Sequence, residues 1–335
     1  MSPRPEPPYA QQAPSPVLYD VDPAFLAGYR PEREEPEDFD LFWERTLAEA
    51  RRHPVACHAE PVEAGLRALD AFDITFAGYD GQAVKGWLVL PRERPEPLPL
   101  VVQYAGYGGG RGLPLEHLLW ATTGHAHFVM DSRGQGVDTP DAAPTHPASP
   151  DGPHVLRGIH DPETYYYRRL VVDAVRAVDC LRTHPAVNAG RVVVTGTSQG
   201  GGLALAAAAL ASEVAAVMPD LPFPSHWRRA TRLADRGPYA EVARYCATQR
   251  DRRHSVFATL GYFDAVGFAA RCRPPALFSV ALMDRVCPPS TVYAAYNHYA
   301  GPRRLAVWEY NDHEGGGPHQ QRLQLDFLAG LWPAA

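Results

Sequence analysis

The chain has 335 residues, enough for one large domain with a sizeable core, and 45% hydrophobic and 21% charged residues mark it as globular. A formal net charge of −6 gives no electrostatic footing for nucleic acid or an anionic membrane surface. Five cysteines (Cys57, Cys180, Cys246, Cys272, Cys287) without a C-x-x-C pair speak against a disulfide framework or a zinc ribbon, so reduced thiols in a cytoplasmic protein are expected.

Residues 1–16 are rich in proline and polar side chains and lack the apolar core of a signal peptide. They read as a flexible tail ahead of a single domain over 17–335, whose first part, 17–70, is an arm. Within the arm, Phe39, Phe42, Trp43 and Leu47 have helical spacing, which predicts an amphipathic helix over 38–52 lying across the outside of the core. Two strand-like runs, 72–78 and 84–90, meet through Tyr79-Asp80-Gly81-Gln82, whose Asp-Gly is a hairpin signal. Short buried strands are predicted at 99–104 and 127–131, with a helix containing Leu115 to Trp120 between them. A long loop over 134–161 and a helix over 165–183 follow.

Next, Val192 to Thr195 are apolar or β-branched on both faces, as in a strand covered by helices on either side. Residues 203–211 are wholly Leu and Ala, the composition of a helix buried against that strand. Further strands are predicted at 215–220, 276–282 and 304–310, with a closing helix over 320–331. The arginine- and aromatic-rich stretch of about 221–273 reads as a helical cap insertion. Strands separated by crossovers give an α/β fold with a mostly parallel central sheet and helices on both faces.

Between the buried strand and helix stands Gly196-Thr197-Ser198-Gln199-Gly200, the G-x-S-x-G pattern of a nucleophile elbow. Gly196 and Gly200, lacking Cβ, let strand and helix close on a sharp bend that holds Ser198 outward. A serine hydroxyl needs a base within hydrogen-bond reach and a third group to orient that base. In the α/β-hydrolase fold the acid and then the histidine follow the nucleophile, each past the carboxyl end of a strand. Asp284 and His313 stand in those places. Asp220 also follows a strand and His319 is a second late histidine; order and loop context favour Asp284 and His313. Glu314 reads as a loop-stabilising carboxylate, and Cys287 as a quiet thiol. Donors for an oxyanion are expected from the backbone N–H of Gln199 and of Tyr107, in the glycine-rich loop 105–112. A phosphate loop does not fit there, since the sole lysine is Lys85, outside any such motif. His125 and His127 share a strand face, but with no third ligand evident they read as structural.

Arg133-Gly134-Gln135, Gly196-Thr197-Ser198-Gln199-Gly200-Gly201 and His313-Glu314 together resemble the marks of the acetyl xylan esterase and cephalosporin C deacetylase family, carbohydrate esterase family seven. Supporting stretches are 161–168, 282–284, 288–291 and 294–298, and the resemblance runs from about Tyr19 to the end. It implies Ser198 as nucleophile, Asp284 as acid, His313 as base, and Tyr107 and Gln199 as oxyanion donors. For Arg133, Gly134 and Gln135 it implies structural support beneath the elbow. It also implies removal of acetyl groups from small acetylated sugars such as xylo-oligosaccharides and from compounds such as cephalosporin C. No metal or cofactor, no nucleic-acid or membrane partner, and a homo-hexamer with active sites facing an internal cavity complete the expectation. Two departures, Ala105 where the family usually has histidine and Pro224 where it usually has leucine, bear on substrate preference. The alternatives are another hydrolase of this fold, dienelactone hydrolase- or peptidase-like, and a non-catalytic ligand-binding member.

Overall fold

The computed structural model describes residues 20–142 and 152–332. The tail reading for 1–16 falls outside them. The described chain runs through α1 (Pro23–Gly28), α2 (Phe39–Ala50), β1 (His58–Val62), β2 (Leu69–Ala77), β3 (Ala83–Pro91), β4 (Leu98–Tyr104), α3 (Leu119–Thr122), β5 (Ala126–Met130) and α4 (Tyr166–Leu181). It continues with β6 (Val187–Thr197), α5 (Gln199–Leu210), β7 (Ala216–Asp220), α6 (Trp227–Leu233), α7 (Gly237–Thr248), α8 (Arg253–Gly261) and α9 (Ala265–Ala269). It closes with β8 (Ala276–Ala281), α10 (Pro289–His298), β9 (Arg303–Trp308) and α11 (Gly317–Leu331).

The strands form one sheet in the order β1-β2-β3-β5-β4-β6-β7-β8-β9. The first four are paired antiparallel, and from β5 to β9 every pairing is parallel. The parallel strands are apolar on both faces because both are covered. Val101, Val193, Met218 and Leu277 meet Trp120 and α11 on one side, while Val102, Val194 and Val217 face α4, α5 and the cap on the other. The β2–β3 hairpin turns through Tyr79–Gly81, where Asp80 (φ +52°) and Gly81 (φ +68°) take the left-handed backbone that Asp-Gly favours.

Helix α4 is buried almost all round although it carries Arg168, Arg169, Asp173 and Arg176. Each charge is paired: Arg169 with Asp141 at 2.7 Å, Arg168 with Glu49 at 2.9 Å, Asp173 with Arg133, and Arg176 with Asp179 at 3.7 Å. Unpaired, such charges would be costly to bury.

The structure corrects the sequence reading in four places. Cys57 and Cys180 are joined by a disulfide, with Cα atoms 5.2 Å apart, so the reduced-thiol expectation fails for that pair; an odd cysteine count does not exclude one bridge. Helix α2 does not ride outside the core: Phe39, Phe42, Trp43 and Leu47 are buried against Tyr262, Phe263 and Phe268 of the cap. The helix expected over 115–120 is a 3-10 turn at Pro114–Glu116 followed by the single turn of α3. β1 and α1 were not anticipated. No described helix is long and apolar enough to cross a membrane.

The arm is bound tightly to the cap. Trp43 Nε1 donates to the Tyr262 carbonyl at 3.0 Å, the Tyr262 hydroxyl donates to Asp38 at 2.6 Å, and Arg271 reaches Glu35 at 3.0 Å. Asn297 of α10 donates to the carbonyls of Leu26 and Tyr29 at 3.1 and 2.8 Å.

Candidate active site

Ser198 stands between β6 and α5 with φ +58°, a backbone state that costs a residue with a Cβ on the order of 1–3 kcal/mol and persists only where its surroundings enforce it. The enforcing contacts are backbone. Its N–H donates to the Asp220 carbonyl at 2.9 Å, and its own carbonyl accepts from Phe223 at 2.9 Å and Gly202 at 3.1 Å. The bend closes so far that a Cβ on Gly200 would stand 2.1 Å from the Tyr104 carbonyl oxygen, and one on Gly196 would stand 2.5 Å from the Gly200 carbonyl carbon. The two glycines are therefore required by close approach, as the motif predicts.

Asp284 follows β8 and its side chain is fully buried. Its Oδ1 accepts the N–H groups of Val286 and Cys287 at 2.8 and 2.9 Å, which leaves Oδ2 facing His313 Nδ1 at 2.8 Å. A carboxylate on Nδ1 holds the imidazole in the tautomer whose Nε2 can accept a proton. The loops carrying the two residues are tied to each other, since Met283 N–H donates to the Asn311 carbonyl at 3.1 Å and Arg285 N–H to Asp312 Oδ1 at 3.1 Å.

Cys287 closes the cluster. Its sulfur, a carboxylate oxygen of Asp284 and a ring nitrogen of His313 lie within 4.8 Å of one another, and the Ser198 hydroxyl is among the groups that act on the thiol pKa, lowering it. Burial, and secondarily the Asp284 charge, push the thiol pKa well above its ordinary value, so it is a protonated neighbour. The sequence reading of a quiet thiol holds for its protonation and misses its place. The signal available was its position three residues after Asp284, inside the turn that this carboxylate organises.

Gln199 is the first residue of α5, so its N–H belongs to the first turn, where helix donors have no intrahelical acceptor. Its side chain braces the glycine-rich loop. Gln199 Nε2 donates to the carbonyls of Ala105 and Gly106 at 3.4 Å, and its Oε1 accepts from Tyr167 at 2.8 Å and Gln135 at 2.9 Å. Gln135 Oε1 accepts the Gly108 N–H at 2.6 Å, and its Nε2 also reaches the Tyr166 hydroxyl at 2.8 Å. Tyr107 is thus held from both sides by two amide side chains. Its own hydroxyl donates to Glu241 of the cap at 3.0 Å and accepts from Val155 N–H at 3.2 Å.

Arg133 lies beneath this, fully buried, paired with Asp173 at 2.5 and 2.7 Å and donating to Gln82 at 2.6 Å. Gly134 turns at φ +66° and donates to the Thr139 carbonyl at 2.8 Å. Glu314 Oε1 accepts from Asn311 at 3.0 Å and the Asp312 N–H at 3.3 Å; hydrogen bonds from its own loop hold its pKa below the usual range, a loop-stabilising role. The rivals are placed elsewhere. Asp220 receives Gln320 and Gln324 of α11 at 2.8 and 2.7 Å, and His319 is exposed beside Trp308. His127 is buried with Nδ1 on the His117 carbonyl and Nε2 on the Gln103 amide, both at 3.0 Å, and burial pushes its pKa down to about 3. Sequence reasoning missed Tyr166, Tyr167 and Glu241, which support the site through partners distant in the chain.

A mostly parallel sheet with a serine on a strained strand-to-helix turn, and a hydrogen-bonded Asp and His past later strands, defines an α/β-hydrolase. Acylaminoacyl peptidase of Pyrococcus horikoshii shares this fold at 17% identity and a TM-score of 0.56, with 80% of this chain and 42% of that one aligned. Residues 18–331 match the acetyl xylan esterase (AXE1) family, and the chain belongs to that family of carboxylic ester hydrolases. The acetyl xylan esterase from Paenibacillus sp. R4 is similar at 37% identity and a TM-score of 0.89, over 92% of this chain and 99% of that one. Acetyl xylan esterase 1 from Thermoanaerobacterium sp. JW/SL YS485 is similar at 30% identity and a TM-score of 0.87, over 93% and 99%. An acetyl esterase, Axe7A, of Xylanibacter ruminicola is 27% identical over 85% of this chain, which spans 65% of that relative's length.

Proposed function

We propose that the protein is a serine esterase that removes acetyl groups from small acetylated carbohydrates such as xylo-oligosaccharides, and from related acetyl esters such as cephalosporin C. The observation that carries this reading is the 2.8 Å bond between His313 Nδ1 and Asp284, together with Ser198 on its strained strand-to-helix turn. His313 Nε2 takes the Ser198 proton as Oγ attacks the acetyl carbonyl carbon. The N–H groups of Tyr107 and Gln199 receive the oxyanion, and Asp284 stabilises the imidazolium that forms. Collapse of the tetrahedral intermediate breaks the ester C–O bond, and the sugar hydroxyl leaves with the proton from His313. Water, deprotonated by His313, then attacks the acetyl-enzyme, and acetate departs as Ser198 regains its proton.

The test is a set of initial rates on p-nitrophenyl acetate, butyrate and octanoate, with Ser198→Ala as the blank. A steep preference for acetate that vanishes in the variant is expected, followed by release of acetate from acetylated xylo-oligosaccharides. Equal or faster cleavage of the longer esters would sink the acetyl reading and retain the serine mechanism.

A further inference from the structure

We infer that Asp284, Cys287 and His313 form a latent site for a soft divalent cation such as zinc, and that filling it switches the esterase off. The inference rests on the reading of Asp284 and His313 as acid and base. One sulfur, one imidazole nitrogen and one carboxylate oxygen within 4.8 Å of one another are the donor types that bind zinc. With zinc bonds of roughly 2.0–2.3 Å, ligands at the corners of a tetrahedron stand about 3.3–3.7 Å apart, so the sulfur needs to close by no more than about 1.3 Å, while the Asp284 and His313 atoms, 2.8 Å apart, need to open by roughly 0.5 Å. The fourth corner falls to water.

The donors are held in advance. Asp284 and Cys287 share one turn, fixed by the Val286 and Cys287 N–H bonds to Oδ1, and the His313 loop is tied to that turn through Arg285 and Asp312. His313 keeps 28% of its side chain exposed, which leaves an approach from solvent. On binding, the thiol proton passes to solvent as the S–Zn bond forms, with no change of oxidation state. If the metal takes Nε2, the base loses the lone pair that accepts the Ser198 proton. If it takes Nδ1, it displaces the bond to Asp284. Either arrangement stops the acyl transfer.

The experiment uses chelator-treated full-length protein. Cobalt(II) is added while the near-ultraviolet thiolate-to-cobalt charge-transfer band is recorded, and zinc is titrated against p-nitrophenyl acetate hydrolysis. One ion per chain, a thiolate band, and a rate that falls at least tenfold at saturating zinc and returns with EDTA are expected. Cys287→Ser should lose the band and need at least tenfold more zinc for half-inhibition, measured against its own metal-free rate. Cys246→Ser, which alters a free cysteine elsewhere, should behave as wild type. Absence of the band in the wild-type protein, or equal zinc sensitivity in Cys287→Ser, would overturn the inference. The two readings fail separately. A band with hydrolysis unaffected by Ser198→Ala would remove the serine mechanism and keep the metal site, whereas hydrolysis abolished by Ser198→Ala without any band would do the reverse.

Discussion

Replacing Asp220 by Asn is expected to stabilise the protein at pH 8 and to change little at pH 5. The carboxyl receives Gln320 and Gln324 at 2.8 and 2.7 Å, both neutral donors. Burial outweighs them and raises its pKa from 3.8 to about 7. Between those two values the folded chain holds a proton that the unfolded chain has released. Stability therefore falls as pH rises from about 4 to about 7, and stays reduced above that. A shift of roughly three units at about 1.4 kcal/mol each sets a ceiling of about 4 kcal/mol on the loss at pH 8. Asn keeps the shape without the charge, and its N–H group has an acceptor at hand, since Gln320 Oε1 is buried without a hydrogen-bond partner. Allowing for the turned amide, a gain of about 2 kcal/mol at pH 8 is expected. Urea unfolding of both proteins at pH 5 and pH 8 measures it. If wild type and Asp220→Asn lose stability equally between the two pH values, Asp220 is not the titrating group and the reasoning fails.

Gln135→Ala removes the acceptor for Gly108 N–H and a partner of Gln199, so the Tyr107 loop should drift. Steady-state kinetics on p-nitrophenyl acetate should give kcat lowered about 10–100-fold with KM nearly unchanged, somewhat less than deleting an oxyanion donor outright; unchanged kcat would count against Tyr107 as donor. Gly200→Ala forces a Cβ to within 2.1 Å of the Tyr104 carbonyl. A loss of about 3–5 kcal/mol, read as a lowered thermal midpoint or insoluble expression, is expected. Asp173→Asn leaves the buried Arg133 guanidinium with the more distant Asp141 carboxylate, at 3.8 Å, and up to about 3–5 kcal/mol should be lost in denaturant titration, with an intact midpoint arguing that Asp141 suffices.

The parts of the fold legible in the sequence are those where one physical pressure dominates. Val192, Val193 and Val194 are fully buried because both faces of β6 are covered, and a run of β-branched residues answers that demand. The elbow was legible because its glycines answer a backbone clash that any sequence must avoid. β1 was not, because His58-Ala59-Glu60-Pro61-Val62 is a half-exposed edge strand that, among the described residues, pairs only with β2, so solvent dictates most of its residues. The Cys57–Cys180 bridge joins residues 123 apart, and no local spacing encodes such a pair. Arg133 and Gln135 stood out as a motif, yet their partners, Asp173 and Gln199, are 40 and 64 residues away. Reading the motif's purpose required the fold that brings them together.

The clasp between arm and cap fastens the start of the described chain to its middle. Trp43 is anchored on the Tyr262 carbonyl, Asp38 and Glu35 hold Tyr262 and Arg271, and Leu26 and Tyr29 are pinned to α10. A cap strapped down at so many points resists lifting as a unit. Each of these ties joins a residue near the start of the described chain to one more than 200 residues later, so an early cut in the arm would be felt in the middle and the end of the fold.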